Sequence, residues 1–215
     1  MLFTDKLYEK TRDIQESILN HPFPRGIGDG SLPMDSFKYF IEQDYLFLID
    51  YSRILGLAAI KAPDRHTMKA FSELLHETIS TEMELHIQFC GRLGISENNL
   101  SKIVRAEPTA AYTNFLVRTG YEGSYEEIVA ALLPCMATYS DIGIHLKSKA
   151  LTGIPEEYQE WISMYSSDEF KELARWITDL INVIGESAGE SSLRNMILAY
   201  KSSCVHELNF WTMCL

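Results

Sequence analysis

The sequence SYEEIVAALLPCMATYSDIGIHLKSKA, residues 124–150, decides the fold class. Its apolar side chains recur three or four positions apart, which is the spacing of residues that share one face of an α-helix. Ser124 and Glu127 have the spacing of a capping box, which predicts that the helix begins there. A proline inside a helix lacks an N–H and clashes with the carbonyl four residues earlier. We therefore expect a long buried helix that kinks near Pro134 and leaves the carbonyl of Ala130 as a free acceptor.

Helical periodicity continues on both sides of this segment, and no stretch alternates with the period of two that is typical of a strand. Residues 21–33 are rich in Gly and Pro, which predicts an irregular connection. The sequence as a whole predicts an all-α bundle, with residues 1–215 forming a single domain. The predicted helices run from about Thr4 to Asn20, Met34 to Lys61, Asp64 to Leu93, Pro108 to Gly120, Ser124 to Ala150, 155 to 165, 166 to 185, and Ser191 to the end.

Composition and charge exclude several classes of function. The net charge is −11 and the basic residues are scattered, which argues against binding to nucleic acid or to an anionic membrane. The first ten residues are charged and lack a signal-peptide core, and no apolar run is long enough to span a bilayer. The four cysteines show no CxxC pairing, so we expect reduced thiols in a cytoplasmic protein.

Three helices each place a reactive polar residue on an apolar face. Asp44 falls in the centre of the face that includes Phe47 and Tyr51, Cys135 lies on the face of the 124–150 helix, and Glu207 lies among aromatic residues. Asp44 could be a structural acid bonded to a buried Tyr or Arg, and Cys135 could be only a small hydrophobic side chain. Their convergence instead favours a polar pocket, in which a thiol and two carboxylates act as nucleophile and acid–base partners.

A fourth helix adds an ionisable pair. Glu82 and His86 are four residues apart and share a predicted face with Leu75 and Ile79. A Glu and a His at this spacing could be metal ligands, or they could form a salt bridge that is buried with the apolar side chains. The second interpretation is favoured for this pair.

Six segments, in their order and spacing, carry a resemblance that spans nearly the whole chain. They are HPFPRGIGDGSLPMDSFKYFIEQDY (21–45), TEMELH (81–86), AYTNFL (111–116), ALLPCMATYSDIG (131–143), YQEWISMYSSDEF (158–170) and HELNFW (206–211). Together they resemble the TenA family, the thiaminase II or aminopyrimidine aminohydrolase enzymes of thiamin salvage. The resemblance implies a heme-oxygenase-like helical bundle, a homotetramer, and no metal or organic cofactor.

The resemblance also implies a reaction and a set of site residues. The reaction is hydrolysis of 4-amino-5-aminomethyl-2-methylpyrimidine to its hydroxymethyl counterpart and ammonia, and thiamin itself is a possible second substrate. Cys135 corresponds to the nucleophile, Glu207 to the acid–base carboxylate and Asp44 to the acid that holds the pyrimidine. The residues that would line the pocket or pack on the ring are Tyr112, Tyr139, Tyr165, Phe210 and Phe47, the last at a position where well-known members carry tyrosine.

A free thiol has a pKa near 8.5, so the nucleophile needs help to ionise. The hydroxyl of Tyr139 lies one helical turn from Cys135 and is expected to donate to its sulfur.

Two other functions remain as alternatives. A non-catalytic protein that binds thiamin or its pyrimidine would keep the pocket without turnover, although the presence of both Cys135 and Glu207 argues against it. A metal-dependent oxidase on the same fold would need a set of acidic and histidine ligands. The residues available for such a set are Glu82, His86, Asp141, His145, and His206 or Glu207.

Overall fold

In the computed structural model, residues 1–100, 102–149 and 152–215 are described, and within them the regular structure is entirely helical. The predicted all-α class is therefore confirmed. The helices are α1 Phe3–Leu19, α2 Pro22–Asp29, α3 Met34–Lys61, α4 Arg65–Glu77, a π-helical turn Thr78–Glu82, α5 Met83–Arg92, α6 Glu97–Leu100, α7 Glu107–Glu122, α8 Tyr125–Lys149, α9 Glu156–Tyr165, α10 Asp168–Ser187 and α11 Glu190–Thr212.

Helix α8 lies at the centre of the bundle and packs against α11, α10, α9, α7, α2 and α3. Every residue from Ile128 to Leu133 is fully buried, because neighbouring helices cover α8 on all sides. The same helix is long and apolar enough to cross a bilayer by length and composition, but most of its surface is buried in this core. Its apolar character is thus accounted for by packing against the other helices.

Pro134 lies within α8 without ending the helix. The sequence predicts that the carbonyl of Ala130 is a free acceptor. In the structure, side chains donate to the carbonyls of the two residues that follow, Ala131 and Leu132. The Ser203 hydroxyl donates to the Ala131 carbonyl at 2.7 Å, and the Cys135 thiol donates to the Leu132 carbonyl at 3.0 Å. The backbone just before the proline is therefore tied to α11 and to the thiol.

The prediction that residues 21–33 are irregular is wrong over most of its length, because Pro22–Asp29 forms α2. Pro22 is tolerated at the first turn of a helix, where its missing N–H has no intrahelical acceptor. The His21 ring accepts a hydrogen bond from the Phe23 N–H at 3.2 Å and caps the helix. Gly30 ends it in the left-handed conformation, at φ 76°.

The predicted helix from Asp64 to Leu93 begins as expected but is interrupted. Asp64 caps it by accepting the Thr67 N–H at 2.9 Å. The π-helical turn follows α4, and there the Met83 N–H donates to the carbonyl of Thr78, five residues earlier. The extra residue changes the directions of the side chains within this turn, which includes Ile79. Ile79, predicted on the buried face, is 51% exposed.

Candidate active site

A cavity with an empty volume of about 570 Å³, part of it open to solvent, lies between α3, the π-helical turn, α4 and α7–α11. All eight residues predicted from the sequence line it, although they come from five different helices. They are Asp44 and Phe47 from α3, Tyr112 from α7, Cys135 and Tyr139 from α8, Tyr165 from α9, and Glu207 and Phe210 from α11. Their individual roles remain predictions.

Two polar residues that sequence analysis did not place in the site also line this cavity. Tyr51 follows Phe47 by one helical turn on α3, and the two rings stack at 5.8 Å. Glu82 ends the π-helical turn. The spacing of Tyr51 from Asp44, seven residues on one helix face, was the available signal for the first. A second, larger cavity shares Asp44 and Glu82 with the first and extends outward from it.

Glu207 is 1% exposed, and hydrogen bonds reach both of its carboxylate oxygens. The Tyr112 hydroxyl is 2.6 Å from Oε1, and the Trp211 indole N–H donates to Oε2 at 3.3 Å. Burial raises the pKa of Glu207 to about 7, the two hydrogen bonds lower it, and the nearby Asp44 raises it. Glu207 is therefore held in one position with a pKa suited to exchanging a proton near neutral pH.

Asp44 is buried to a similar extent, but its surroundings are different. Within the described part of the chain its carboxylate has no hydrogen bond and no Lys or Arg partner, and the nearest basic atom is His86 Nδ1 at 3.9 Å. Burial raises the pKa of Asp44 to about 7. The structural alternative, in which a buried Tyr or Arg bonds this acid, is not what the structure contains. A buried carboxylate without a partner is typical of a ligand contact.

The favoured interpretation of Glu82 and His86 as a salt-bridged pair is wrong for the described residues. His86 Nε2 donates to the carbonyl of Ile41 at 2.8 Å, which turns Nδ1 towards Asp44. Burial lowers the pKa of His86, so the ring is neutral near pH 7 and does not balance the carboxylates. Burial and, secondly, Asp44 raise the pKa of Glu82 to about 7, and Thr78 lowers it.

Among the described residues, the lining of this cavity therefore combines three carboxyl groups with no Lys or Arg. Three acids whose pKa values lie near 7 in one buried space disfavour full ionisation of the set. Such a cavity favours a ligand that brings positive charge or hydrogen-bond donors.

Cys135 is partly exposed to the cavity, and its thiol donates to the Leu132 carbonyl. Burial, followed by the charge of Glu207, raises the pKa of Cys135 well above its usual range. The predicted donor to the sulfur, Tyr139, makes no such hydrogen bond in the described structure. The main chain at Cys135 and, with a smaller effect, the hydroxyl of Tyr112 lower the pKa of the thiol, but burial outweighs both. Cys135 is accordingly a neutral thiol in the free protein.

Aromatic rings form the walls of the cavity. Phe47 lies 5.0 Å from Tyr112 and 5.8 Å from Phe210, and Tyr139 lies 4.8 Å from Tyr165, all measured between ring centroids. In the described structure no hydrogen bond reaches the hydroxyls of Tyr139 and Tyr165, although both side chains are buried. The walls therefore offer apolar faces for a flat ring and free hydroxyls at its edge.

The ligand set of the metal-oxidase alternative is not assembled. Within residues 1–100, 102–149 and 152–215, no three His, Cys, Asp or Glu side chains are placed to hold one metal ion. Asp141 and His145 lie on the exposed side of α8, whereas Glu82 and His86 face the cavities.

Comparison with known proteins gives one consistent result. The chain is 41% identical over 213 residues to an aminopyrimidine aminohydrolase of Halalkalibacterium halodurans, covering 99% of this chain and 95% of that protein. It superposes on a TenA homologue from P. horikoshii OT3 with a TM-score of 0.91 at 28% identity, covering 100% of this chain and 98% of that one.

A more distant structure shows the fold alone. It is a Shewanella denitrificans domain with a heme oxygenase-like fold, which matches at a TM-score of 0.76 and 12% identity over 98% of this chain and 91% of that one. The predicted heme-oxygenase-like bundle is thereby confirmed. The model of the TENA/THI-4/PQQC family matches residues 8–215, and the chain belongs to that family.

Proposed function

We propose that this protein is an aminopyrimidine aminohydrolase of thiamin salvage. It would hydrolyse 4-amino-5-aminomethyl-2-methylpyrimidine to the hydroxymethyl compound and ammonia, with thiamin as a possible second substrate. The observation that carries the proposal is the cavity itself, where a thiol, the two buried carboxyl groups of Asp44 and Glu207 and the partly buried one of Glu82 meet without a Lys or Arg among the described lining residues. The 41%-identical relative bears the name of this activity.

Asp44 is proposed to bind the edge of the pyrimidine. A ring nitrogen and the adjacent amino group form an amidine-like pair of donors when the nitrogen is protonated, and one carboxylate can accept from both. The carboxylate is buried and has no other partner within the described residues, so it is available for this contact. Protonation of the ring by or beside Asp44 also makes the ring a better electrophile.

Cys135 is proposed to attack the ring carbon next to the aminomethyl group, C6. The new S–C bond breaks the aromaticity, and the electron pair then expels the amine from the methylene carbon. Glu207 gives its proton to the departing nitrogen. Glu207 then removes a proton from water as the water oxygen adds to the exocyclic methylene, and loss of the sulfur restores the aromatic ring.

The thiol proton must pass to a base before the attack, because burial and Glu207 hold the pKa of Cys135 high, and the carboxylate of Glu82 in the same cavity is the available acceptor. A protonated pyrimidine bound at Asp44 brings a positive charge into the same cavity as the sulfur, and that charge favours the thiolate. Ionisation of the nucleophile is thus coupled to substrate binding. The aromatic walls, including Phe47 and Phe210, would stack on the ring and exclude water.

The test is ammonia release from the aminomethylpyrimidine by the wild type and by Cys135→Ala. We expect the variant to lose turnover, by a factor of at least about 1,000, while it still binds the hydroxymethyl product, since the carboxylates and aromatic walls are intact. Cys90→Ala is the matched control, because Cys90 is a buried thiol that does not line the cavity.

Ammonia release retained by Cys135→Ala would remove the nucleophile role. Binding without ammonia release by the wild type would instead indicate the non-catalytic alternative.

We also propose that the protein is a cytoplasmic homotetramer: the family resemblance implies the homotetramer, and the cysteines without CxxC pairing support the cytoplasmic location. Light scattering on the purified protein tests the assembly, and a monomeric mass would contradict it.

A further inference from the structure

Three short contacts join Glu207 to the centre of α8. Glu207 Oε1 is 2.6 Å from the Tyr112 hydroxyl, which is 3.0 Å from the Ser203 hydroxyl. The Ser203 oxygen is 2.7 Å from the carbonyl oxygen of Ala131, which lies three residues before Pro134. Tyr112, Ser203 and Glu207 are each at most 1% exposed, so no bulk water intervenes.

The number of hydrogens decides the direction of these bonds. Each hydrogen bond needs one hydrogen between its two oxygens, so three contacts need three hydrogens. The two hydroxyls supply only two, and the carbonyl of Ala131 can only accept. If Glu207 is ionised, Tyr112 donates to it and Ser203 donates to Ala131, and the contact between Tyr112 and Ser203 then has no hydrogen.

All three contacts are satisfied when Glu207 carries the third hydrogen, whereas Tyr112 lowers the pKa of Glu207 only when its hydroxyl is the donor in their contact. The carboxyl O–H then donates to Tyr112, Tyr112 donates to Ser203, and Ser203 donates to Ala131. The other carboxyl oxygen, Oε2, still accepts from the Trp211 indole, as a carboxylic acid carbonyl does. We propose that Ser203 is a positioning residue that keeps Glu207 protonated in the resting enzyme, because it provides the acceptor that completes this chain of hydrogen bonds.

The inference rests on the proposed function only for the use of that proton. When the departing nitrogen takes the proton from Glu207, the Tyr112 hydroxyl rotates and donates to the new carboxylate, while Ser203 keeps its bond to Ala131. The O–H bonds of Tyr112 and Ser203 stay intact throughout, so the only proton transferred is that of Glu207. When Glu207 later takes a proton from water, the original direction of the chain returns.

Other titratable groups also face Glu207, and they are common to the wild type and to the variants below. The pKa of His206, whose ring stacks on Tyr112 at 5.5 Å, is lowered by burial. The remaining groups are Asp44 from α3, Cys135 and Tyr139 from α8, Tyr165 from α9 and Cys204 from α11.

The test uses Ser203→Ala, which removes the acceptor from Tyr112 but leaves Tyr112 free to donate to an ionised Glu207. Both forms lose the hydrogen bond from Ser203 to the Ala131 carbonyl, but only the protonated form also loses the bond that Tyr112 donates to Ser203, so the pKa of Glu207 should fall. One neutral hydrogen bond corresponds to about a tenfold change in the ratio of the two forms. We expect the basic limb of the kcat pH profile to move about one pH unit lower, with KM little changed.

A second measurement detects the protonated carboxyl group of Glu207 by infrared spectroscopy. The infrared difference between wild type and Glu207→Gln at about pH 6 should contain the C=O band of a protonated carboxyl group, since this pH lies below a pKa of about 7. In Ser203→Ala the same band should titrate away about one pH unit lower than in the wild type. Ser202→Ala is the matched control, because the neighbouring serine on α11 makes no hydrogen bond to Glu207 or Tyr112 and should leave both readouts unchanged.

The outcomes separate the two proposals. A wild-type protein without the carboxyl band, or a Ser203→Ala variant with an unchanged band midpoint and pH profile, overturns the role of Ser203. Absence of turnover on aminopyrimidines removes the proposed function, and the infrared titration still decides the state of Glu207. If Ser203→Ala does not fold, Ser203→Cys gives the same test, because a thiol is close in size and a weak hydrogen-bonding group.

Discussion

Helix α3 buries two aspartates six residues apart, and the structure treats them in opposite ways. Asp50 is 5% exposed and forms ion pairs with Arg53 and with Arg105, the latter at 2.6 Å. Asp44 is 7% exposed and has neither a cation nor a hydrogen bond within the described part of the chain. Two aspartates on one helix, buried to a similar extent, thus differ in their partners. Asp50 is paired with arginine, and Asp44 has no charged partner among the described residues.

The difference teaches which buried charge is structural. Burial of an ionised carboxylate costs several kcal/mol by order of magnitude unless a partner compensates it. Asp50 contributes to folding because its partners come from α3 itself and from the segment before α7. Asp44 raises the energy of the folded protein instead, and this cost is the physical reason to assign it to ligand binding.

The largest expected effect that distinguishes the two aspartates is on the pH dependence of stability. The pKa of Asp44 is raised from 3.8 to about 7 in the folded protein, so its contribution to stability is full below pH of about 4 and is lost as the pH rises through about 7. The difference in the free energy of unfolding between Asp44→Asn and wild type should therefore grow by about 4 kcal/mol from pH 4 to pH 8.

Denaturant unfolding of both proteins across this pH range measures that difference. The comparison with Asp44→Asn is needed because buried histidines act in the opposite direction: the pKa values of His21, His86 and His206 are lowered, so they add stability as the pH rises. Parallel pH curves for wild type and Asp44→Asn would contradict the assignment of an unpaired carboxyl to Asp44.

The second prediction compares how each aspartate affects the stability of the protein and its affinity for the ligand. Asp50→Asn should lower the free energy of unfolding by about 2 kcal/mol, less than for a fully buried pair because Arg53 is largely exposed. It should leave the affinity for the hydroxymethylpyrimidine unchanged. Asp44→Asn should weaken that affinity by about 10- to 100-fold, the loss of a charge-assisted contact, without destabilising the protein at pH 8.

Calorimetric titration and denaturant unfolding of the two variants measure both quantities. Affinity unchanged in Asp44→Asn, or lost to the same extent in Asp50→Asn, would break the distinction between the two aspartates.

The smallest effect concerns Glu82, which lines the same cavity as Asp44 but whose side chain is more exposed to solvent. Its pKa is raised to about 7, so at pH 8 the folded protein bears the cost of an ionised Glu82. Glu82→Gln should raise the free energy of unfolding at pH 8 by about 1 kcal/mol, discounted for solvent screening, and should have almost no effect at a pH of about 4, below the unfolded pKa of 4.5. Glu77→Gln, one turn earlier and exposed, is the control that should change nothing. A gain at a pH of about 4 as large as at pH 8 would contradict an electrostatic cause.

Periodicity, prolines and capping residues predicted the bounds of α3 and the start of α4 well. The bounds of α3 follow from periodicity and the proline at each end, and Asp64 caps α4 as its spacing indicates. They failed at α2, where a short helix is compatible with both prolines because they occupy its first turn, and Gly30 ends it. They also failed at the π-helical turn, since no residue type specifies an extra residue in a helical turn.

The sequence by itself determined the helical class, because period and caps are local, and its family resemblance, which rests on motifs ordered along the chain, supplied eight of the residues that line the cavity. Only the tertiary structure decided which charges have partners. Asp44 and Asp50 look alike in sequence, and Ser203 looks like any small residue on α11, until Arg105, Tyr112 and the carbonyl of Ala131 are brought to them. A pKa or a hydrogen-bond direction depends on atoms from several helices at once, so it exists only when those helices have packed together.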